Sequence, residues 1–130
     1  MAVRVLIAED DPHIVESLSF VLGREGFEVS AALDGEDALR RLQTELPDVV
    51  ILDVMLPGRD GFEVLKALKA DPALRALPVI VLTAKGQAHD RRMAEQMGAT
   101  GFMTKPFSNT DVVDAVRRAA RLGVLPPAKA

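Results

Sequence analysis

The sequence contains no cysteine, no tryptophan and no tyrosine. Without cysteine, neither a disulfide framework nor a cysteine-based metal site is possible. Five phenylalanines make up the whole aromatic complement. No apolar run approaches the ~20 residues of a membrane span. The opening MAVRVLIAED carries no signal-peptide pattern, so a cytoplasmic protein is the expectation. Positive charge is not in excess either: the net charge is −3, and no basic patch is dense enough to suggest nucleic acid. Repeats and low-complexity tracts are also missing. What is present, in 130 residues that are 48% hydrophobic and 27% charged, suits one globular domain with a real core. The composition shifts only at LGVLPPAKA. A domain over residues 1–122 is therefore expected, with 123–130 a Pro/Ala-rich tail or linker.

Short runs rich in β-branched residues recur: VRVLIA (Val3–Ala8), DVVIL (Asp48–Leu52), PVIVL (Pro78–Leu82) and the weaker GFMT (Gly101–Thr104), with FEVSAA (Phe27–Ala32) more mixed. Continuous apolar character, rather than alternation, predicts strands covered on both faces. Helical patterns lie between them. Ile14, Leu18, Val21 and Leu22 form one stripe, ending near Gly23 or Gly26. Asp34 opens a second helix, and Asp60-Gly-Phe-Glu63 has capping-box spacing for a third. Gln87–Met97 reads as a fourth, less apolar helix. Ser108 to Asp111 caps a fifth, whose stripe is Val112, Val113, Val116 and Ala120. The order is (βα)5, which right-handed crossovers build into a doubly wound, five-stranded parallel sheet of α/β class. Ligand sites in such sheets lie at the carboxyl ends of the strands.

Polar residues stand at those ends. The first strand is followed by Glu9 and Asp10, the third by Asp53, the fourth by Thr83 and the fifth by Lys105. A lone Asp after a strand is usually a cap or turn former. Four such positions on one sheet edge instead describe a site. Clustered carboxylates raise one another's pKa unless a cation joins them. An all-oxygen acidic cluster suits Mg2+, which accepts one or two carboxylates and keeps waters for a phosphate; Mn2+ could substitute. Lys105 adds a point charge and Thr83 a donor. Together they suit a phosphoryl group held beside a carboxylate nucleophile. Asp11, followed by Pro12, has the pattern of a helix cap with Pro at the first helical position, and so reads as structural.

AEDDPH, ILDVMLPGRDG, VLTAKG and FMTKPF resemble the signature blocks of the receiver domain of two-component response regulators, over about Val3 to Leu122. The resemblance implies a flavodoxin-like fold with strand order 2-1-3-4-5. It implies that Asp53 accepts a phosphoryl group from the phosphohistidine of a sensor histidine kinase or a phosphotransfer protein. Asp10, Asp53 and the backbone carbonyl of Met55 would ligate Mg2+, and Glu9 would hold a metal-bound water. Lys105 would pair with Asp53 and then with phosphoryl oxygens. Thr83 would be drawn toward the phosphoryl group, letting Phe102 change rotamer, and the Lys105–Pro106 bond would be cis. Ala84 would leave the opening through which the donor enters. Such a domain is a switch rather than an enzyme, though it assists its own phosphorylation and dephosphorylation. It acts through the surface of the fourth helix, fifth strand and fifth helix on an effector protein or output domain, without binding nucleic acid or membrane itself. The resemblance is nearest to receivers of winged-helix transcription regulators, which dimerise through that surface by charge pairs. Arg91 and Asp111 could pair so. Thr100-Gly101 stands where acids are usual, so a monomer or a weak, phosphorylation-dependent dimer is expected.

Other residues read as structural. His13 and His89 are expected to be solvated, and Met93, Met97 and Met103 to pack. Pro57, Gly58 and Gly61 read as backbone devices after Asp53. Met55 and Lys85, two positions beyond Asp53 and Thr83, cannot orient an attacking water, so the phosphoryl aspartate should not be short-lived. Two other functions share parts of the pattern. A haloacid-dehalogenase-type phosphatase needs an Asp where Met55 stands. A flavodoxin-like flavin binder needs a Ser/Thr/Gly-rich loop where Glu9, Asp10 and Asp11 would repel phosphate. A degenerate receiver serving only as a binding module is disfavoured, because every chemical position is filled.

Overall fold

A computed structural model describes residues 2–58, 60–84 and 88–123. Strands β1 (Arg4–Ala8), β2 (Glu28–Ala32), β3 (Val49–Asp53), β4 (Val79–Ala84) and β5 (Gly101–Lys105) alternate with helices α1 (Pro12–Arg24), α2 (Gly35–Glu45), α3 (Gly61–Ala70), α4 (Ala88–Gln96) and α5 (Asn109–Gly123). The strands form one parallel sheet, as the sequence pattern predicts, in the order β2-β1-β3-β4-β5 that the family resemblance implies. Chain direction across the sheet reverses between β1 and β3, which makes the crevice at their carboxyl ends the natural ligand position.

Successive strand residues point to opposite faces, and each face has its own core. Leu6, Val50, Leu52, Val79 and Val81 meet Leu42, Leu65, Leu68 and Ala94 of α2, α3 and α4. Val5, Ile7, Val49, Ile51, Ile80 and Leu82 meet Leu18, Leu22, Val112 and Val116 of α1 and α5. Two-sided burial explains why β1, β3 and β4 read as unbroken apolar runs. Strand β2 flanks only β1, and its mixed sequence follows from its half-covered place at the sheet edge.

The helix starts follow the capping residues. The Asp11 carboxylate accepts from the His13 N–H, with Pro12 opening α1, and Asp34 accepts from the Asp37 N–H. Asp60 and Glu63 form a complete capping box for α3. Ser108 Oγ accepts from the Asp111 N–H at 3.0 Å at the start of α5. Helix α1 runs to Arg24, and Gly26, at φ +93°, turns the chain into β2.

Three strands, β3, β4 and β5, extend further than the sequence suggests. Asp53 pairs with Leu82, Thr83 with Thr104, and Ala84 with Lys105, so the sheet ladder continues into the polar residues. Backbone hydrogen bonding does not register the change in side-chain character that ends the apolar runs. The expected start of the fourth helix at Gln87, the residue Lys85 and the tail 124–130 lie outside the described residues. No described helix is long and apolar enough to cross a membrane.

Candidate functional site

Strand β1 delivers Glu9 and Asp10, one behind the other, at the point where the chain leaves the sheet. Asp10 is exposed, whereas Glu9 is buried. Asp53 is the last residue of β3 and is also buried. One carboxylate oxygen from each of the three residues lies within 4.8 Å of the others. Lys105, at the end of β5, reaches across with its Nζ 2.7 Å from Asp53 Oδ2 and 2.9 Å from Glu9 Oε1. The Lys105–Pro106 peptide is cis, as expected. Sequence-distant residues from β1, β3 and β5 therefore meet in one cluster.

The remaining oxygens are held by backbone. Asp53 Oδ1 accepts from the Met55 N–H at 2.9 Å, and Glu9 Oε2 from the Asp11 N–H at 3.1 Å. These amide donors were not evident from the sequence, because every residue type except proline offers one. Glu9 Oε1 is different. The nearby ammonium supplies charge, but among the described residues no donor is aligned on this buried oxygen. A buried polar atom left so is costly unless something else coordinates it.

Electrostatics agree with that picture. Burial pushes the Glu9 carboxyl up to about 7, and the Asp53 carboxylate beside it adds to the rise, against the opposing pull of Lys105 and the Asp11 amide. Burial alone would lower the Lys105 ammonium; the Asp53 and Glu9 carboxylates outweigh it and hold its pKa above the ordinary lysine value. Three carboxylates against one ammonium leave the cluster two negative charges in excess when all are ionised. The donor set is all oxygen, so the residues fit a hard divalent cation such as Mg2+.

Thr83 is buried one strand away, with its hydroxyl donating to the Met103 carbonyl over a long 3.5 Å. Phe102, next to Met103, is half-buried, and the Arg91 guanidinium lies over its ring at 3.9 Å. The side chain of Met55 is 74% exposed and takes no place among the acids. His13 and His89 are exposed on helices, as expected. Met103 is buried, and Met97 packs against the core on the α3 side. Gly58, at φ +79°, and Gly61, buried against β3, shape the loop after Asp53.

Residues 5–117 match the family model described as the response regulator receiver domain. The chain is 40% identical over 118 residues to the alkaline phosphatase synthesis transcriptional regulatory protein PhoP of Bacillus subtilis. That match takes in 91% of this chain but 48% of the relative, so the chain spans about half the length of the curated protein it resembles. Among solved structures, the chemotaxis response regulator CheY4 of Vibrio cholerae superposes with a TM-score of 0.86 at 31% identity, covering 92% of this chain and 99% of that one. The signal receiver domain of a histidine kinase from Syntrophus aciditrophicus superposes with a TM-score of 0.88 at 32% identity, covering 99% and 98%. With a matching fold and a filled acid–lysine cluster, the phosphatase and flavin-binding alternatives give way. The chain belongs to the response regulator receiver domain family, the signalling switches of two-component systems.

Proposed function

We propose that Asp53 is the phosphoacceptor of this receiver and that its phosphorylation depends on Mg2+. The observation that carries this reading is the contact of Lys105 with both Asp53 and Glu9, beside Asp10, at the carboxyl ends of β1, β3 and β5. An ionised Asp53 oxygen attacks the phosphorus of a kinase phosphohistidine. The P–N bond breaks, its electron pair leaves with the imidazole, and an acyl phosphate forms. Lys105 keeps its proton throughout and follows the charge from the carboxylate to the phosphoryl oxygens. Asp10, Asp53 and the Met55 carbonyl would hold the cation directly, and Glu9 through a water. Bound there, Mg2+ supplies positive charge against the carboxylates and the incoming oxygens.

Thr83 then exchanges its long bond to Met103 for one to the phosphoryl group, and Phe102 follows into the space it leaves. Such a shift biases a pre-existing equilibrium rather than building a new state. The face that reports it comprises α4, β5 and α5, where Phe102, Phe107, Asp111, Asp114 and Arg118 line a groove. Residues 1–122 form the receiver unit and 123–130 a linker. Its partners are a sensor histidine kinase or phosphotransfer protein and an effector or output domain, in the cytoplasm, and the receiver acts as a monomer or a weak dimer. Met55 offers no group to orient water, which supports a phosphoryl aspartate that outlasts a few seconds.

The test is labelling by a small phosphodonor with and without Mg2+. Wild type is expected to label only with the metal, Asp53→Ala not at all, and Asp10→Ala weakly. Equal labelling of wild type and Asp53→Ala would falsify the assignment of the acceptor.

A further inference from the structure

We infer that Arg91 is a positioning residue that latches Phe102 in its resting orientation and so sets how readily Asp53 is phosphorylated. The inference rests on the reading of Asp53 and Phe102 given above. Arg91 belongs to α4 and Phe102 to β5, and the guanidinium carbon stands 3.9 Å from the ring centroid. At that distance the cation lies against the ring face, where the quadrupole attracts it. A planar guanidinium can stack there with its whole surface, which an ammonium cannot. Among the described residues, no carboxylate is paired with Arg91, so the ring is its recorded partner. Asp111, which the resemblance could pair with Arg91 only across a dimer, caps the start of α5 with Ser108 within the chain.

The ring is held between different neighbours. It packs against the α2/α3/α4 core on one side, and it borders grooves shared with Ala115 and Arg118 of α5. Through the adjacent residue, Met103, the same strand accepts the Thr83 hydroxyl. Two contacts therefore act on one short stretch of β5: Thr83 from the reaction side and Arg91 from outside. A change of Phe102 rotamer would carry the ring face from beneath the guanidinium, which would confine the stack to the orientation seen in this structure. An interaction made in only one of two states shifts the equilibrium by its full worth. For a cation–π contact at an exposed position that corresponds to roughly 2- to 5-fold.

Beryllofluoride, a mimic of the bound phosphoryl group, reads this directly in the full chain with Mg2+. Arg91→Ala is expected to bind it about 2- to 5-fold more tightly than wild type. Arg91→Lys should fall between the two, because it keeps the charge and loses the stack. In a Phe102→Leu background, and in a second ringless background, Phe102→Met, Arg91→Ala should have no effect. Unchanged affinity for Arg91→Ala in the wild-type background overturns the latch. So does the same gain in the ringless backgrounds, since the effect would then not pass through the ring. Failure of wild type to bind beryllofluoride at all overturns the acceptor reading itself, and the latch with it.

Discussion

Glu9 is the residue whose chemistry is most at odds with its place. Buried beside another carboxylate, it holds its proton up to about pH 7, against an ordinary value of 4.5. Between those values the folded chain binds more protons than the unfolded one, so this group's contribution to stability falls as pH rises through that window. In metal-free buffer the stability of wild type should therefore decline from pH 5 to pH 8 relative to Glu9→Gln, which has no charge to bury. Mg2+ held among these acids, as proposed, would favour the ionised form, so it should raise the melting temperature of wild type more at pH 8 than at pH 5. Equal shifts at the two pH values would show that Glu9 does not titrate with the site. The acids themselves were legible in the sequence, because carboxylates after apolar runs have few bland explanations in combination. Their unequal burial was not. Glu9 and Asp10 are chemically alike neighbours, and only the geometry where the chain leaves β1 buries one and exposes the other.

Elements were legible wherever a local signal specifies them. Asp11, Asp34, Asp60 and Ser108 each announce a helix by a side-chain oxygen that satisfies an otherwise unpaired N–H. Strand ends were less so, since ladder pairing carries β3, β4 and β5 into the polar residues that follow the apolar runs. Contacts between elements left no local signal at all, and the stack of Arg91 on Phe102 is of that kind. The junction of α3 with β3 is another. A Cβ at Gly61 would lie 2.3 Å from the Asp53 carbonyl oxygen and 2.6 Å from Val54 Cα. Both are backbone atoms, which cannot turn aside. The Gly61 N–H also donates to the Val54 carbonyl at 3.0 Å, so the helix start is tied to the strand end that carries Asp53. Gly61→Ala should cost about 1–3 kcal/mol in urea unfolding, as overpacking does. It should also slow labelling of Asp53 under conditions where the variant is fully folded. Wild-type behaviour in both measurements would show that the junction has slack.

At the scale of the whole molecule, the sheet divides the interior into two cores that share strands but not side chains. Leu65 belongs to the core under α2, α3 and α4, and Ile51 to the core under α1 and α5. Leu65→Ala should cost about 2–5 kcal/mol and Ile51→Val about 0.5–1.5 kcal/mol. The double variant should lose their sum to within about 0.5 kcal/mol, because the sites have no common partners. A larger departure in urea unfolding would mean that the sheet transmits strain from one face to the other. The sheet has a further asymmetry. Strand β3, with Asp53, lies in the middle, flanked on both sides, whereas β5, with Phe102 and Lys105, pairs with β4 alone and forms the outer edge. Lys105 ties that rim to Asp53, but substitutions at its other outward positions can accumulate without touching the interior strand. Descendants of such a chain can thus acquire new listeners while inheriting the same message.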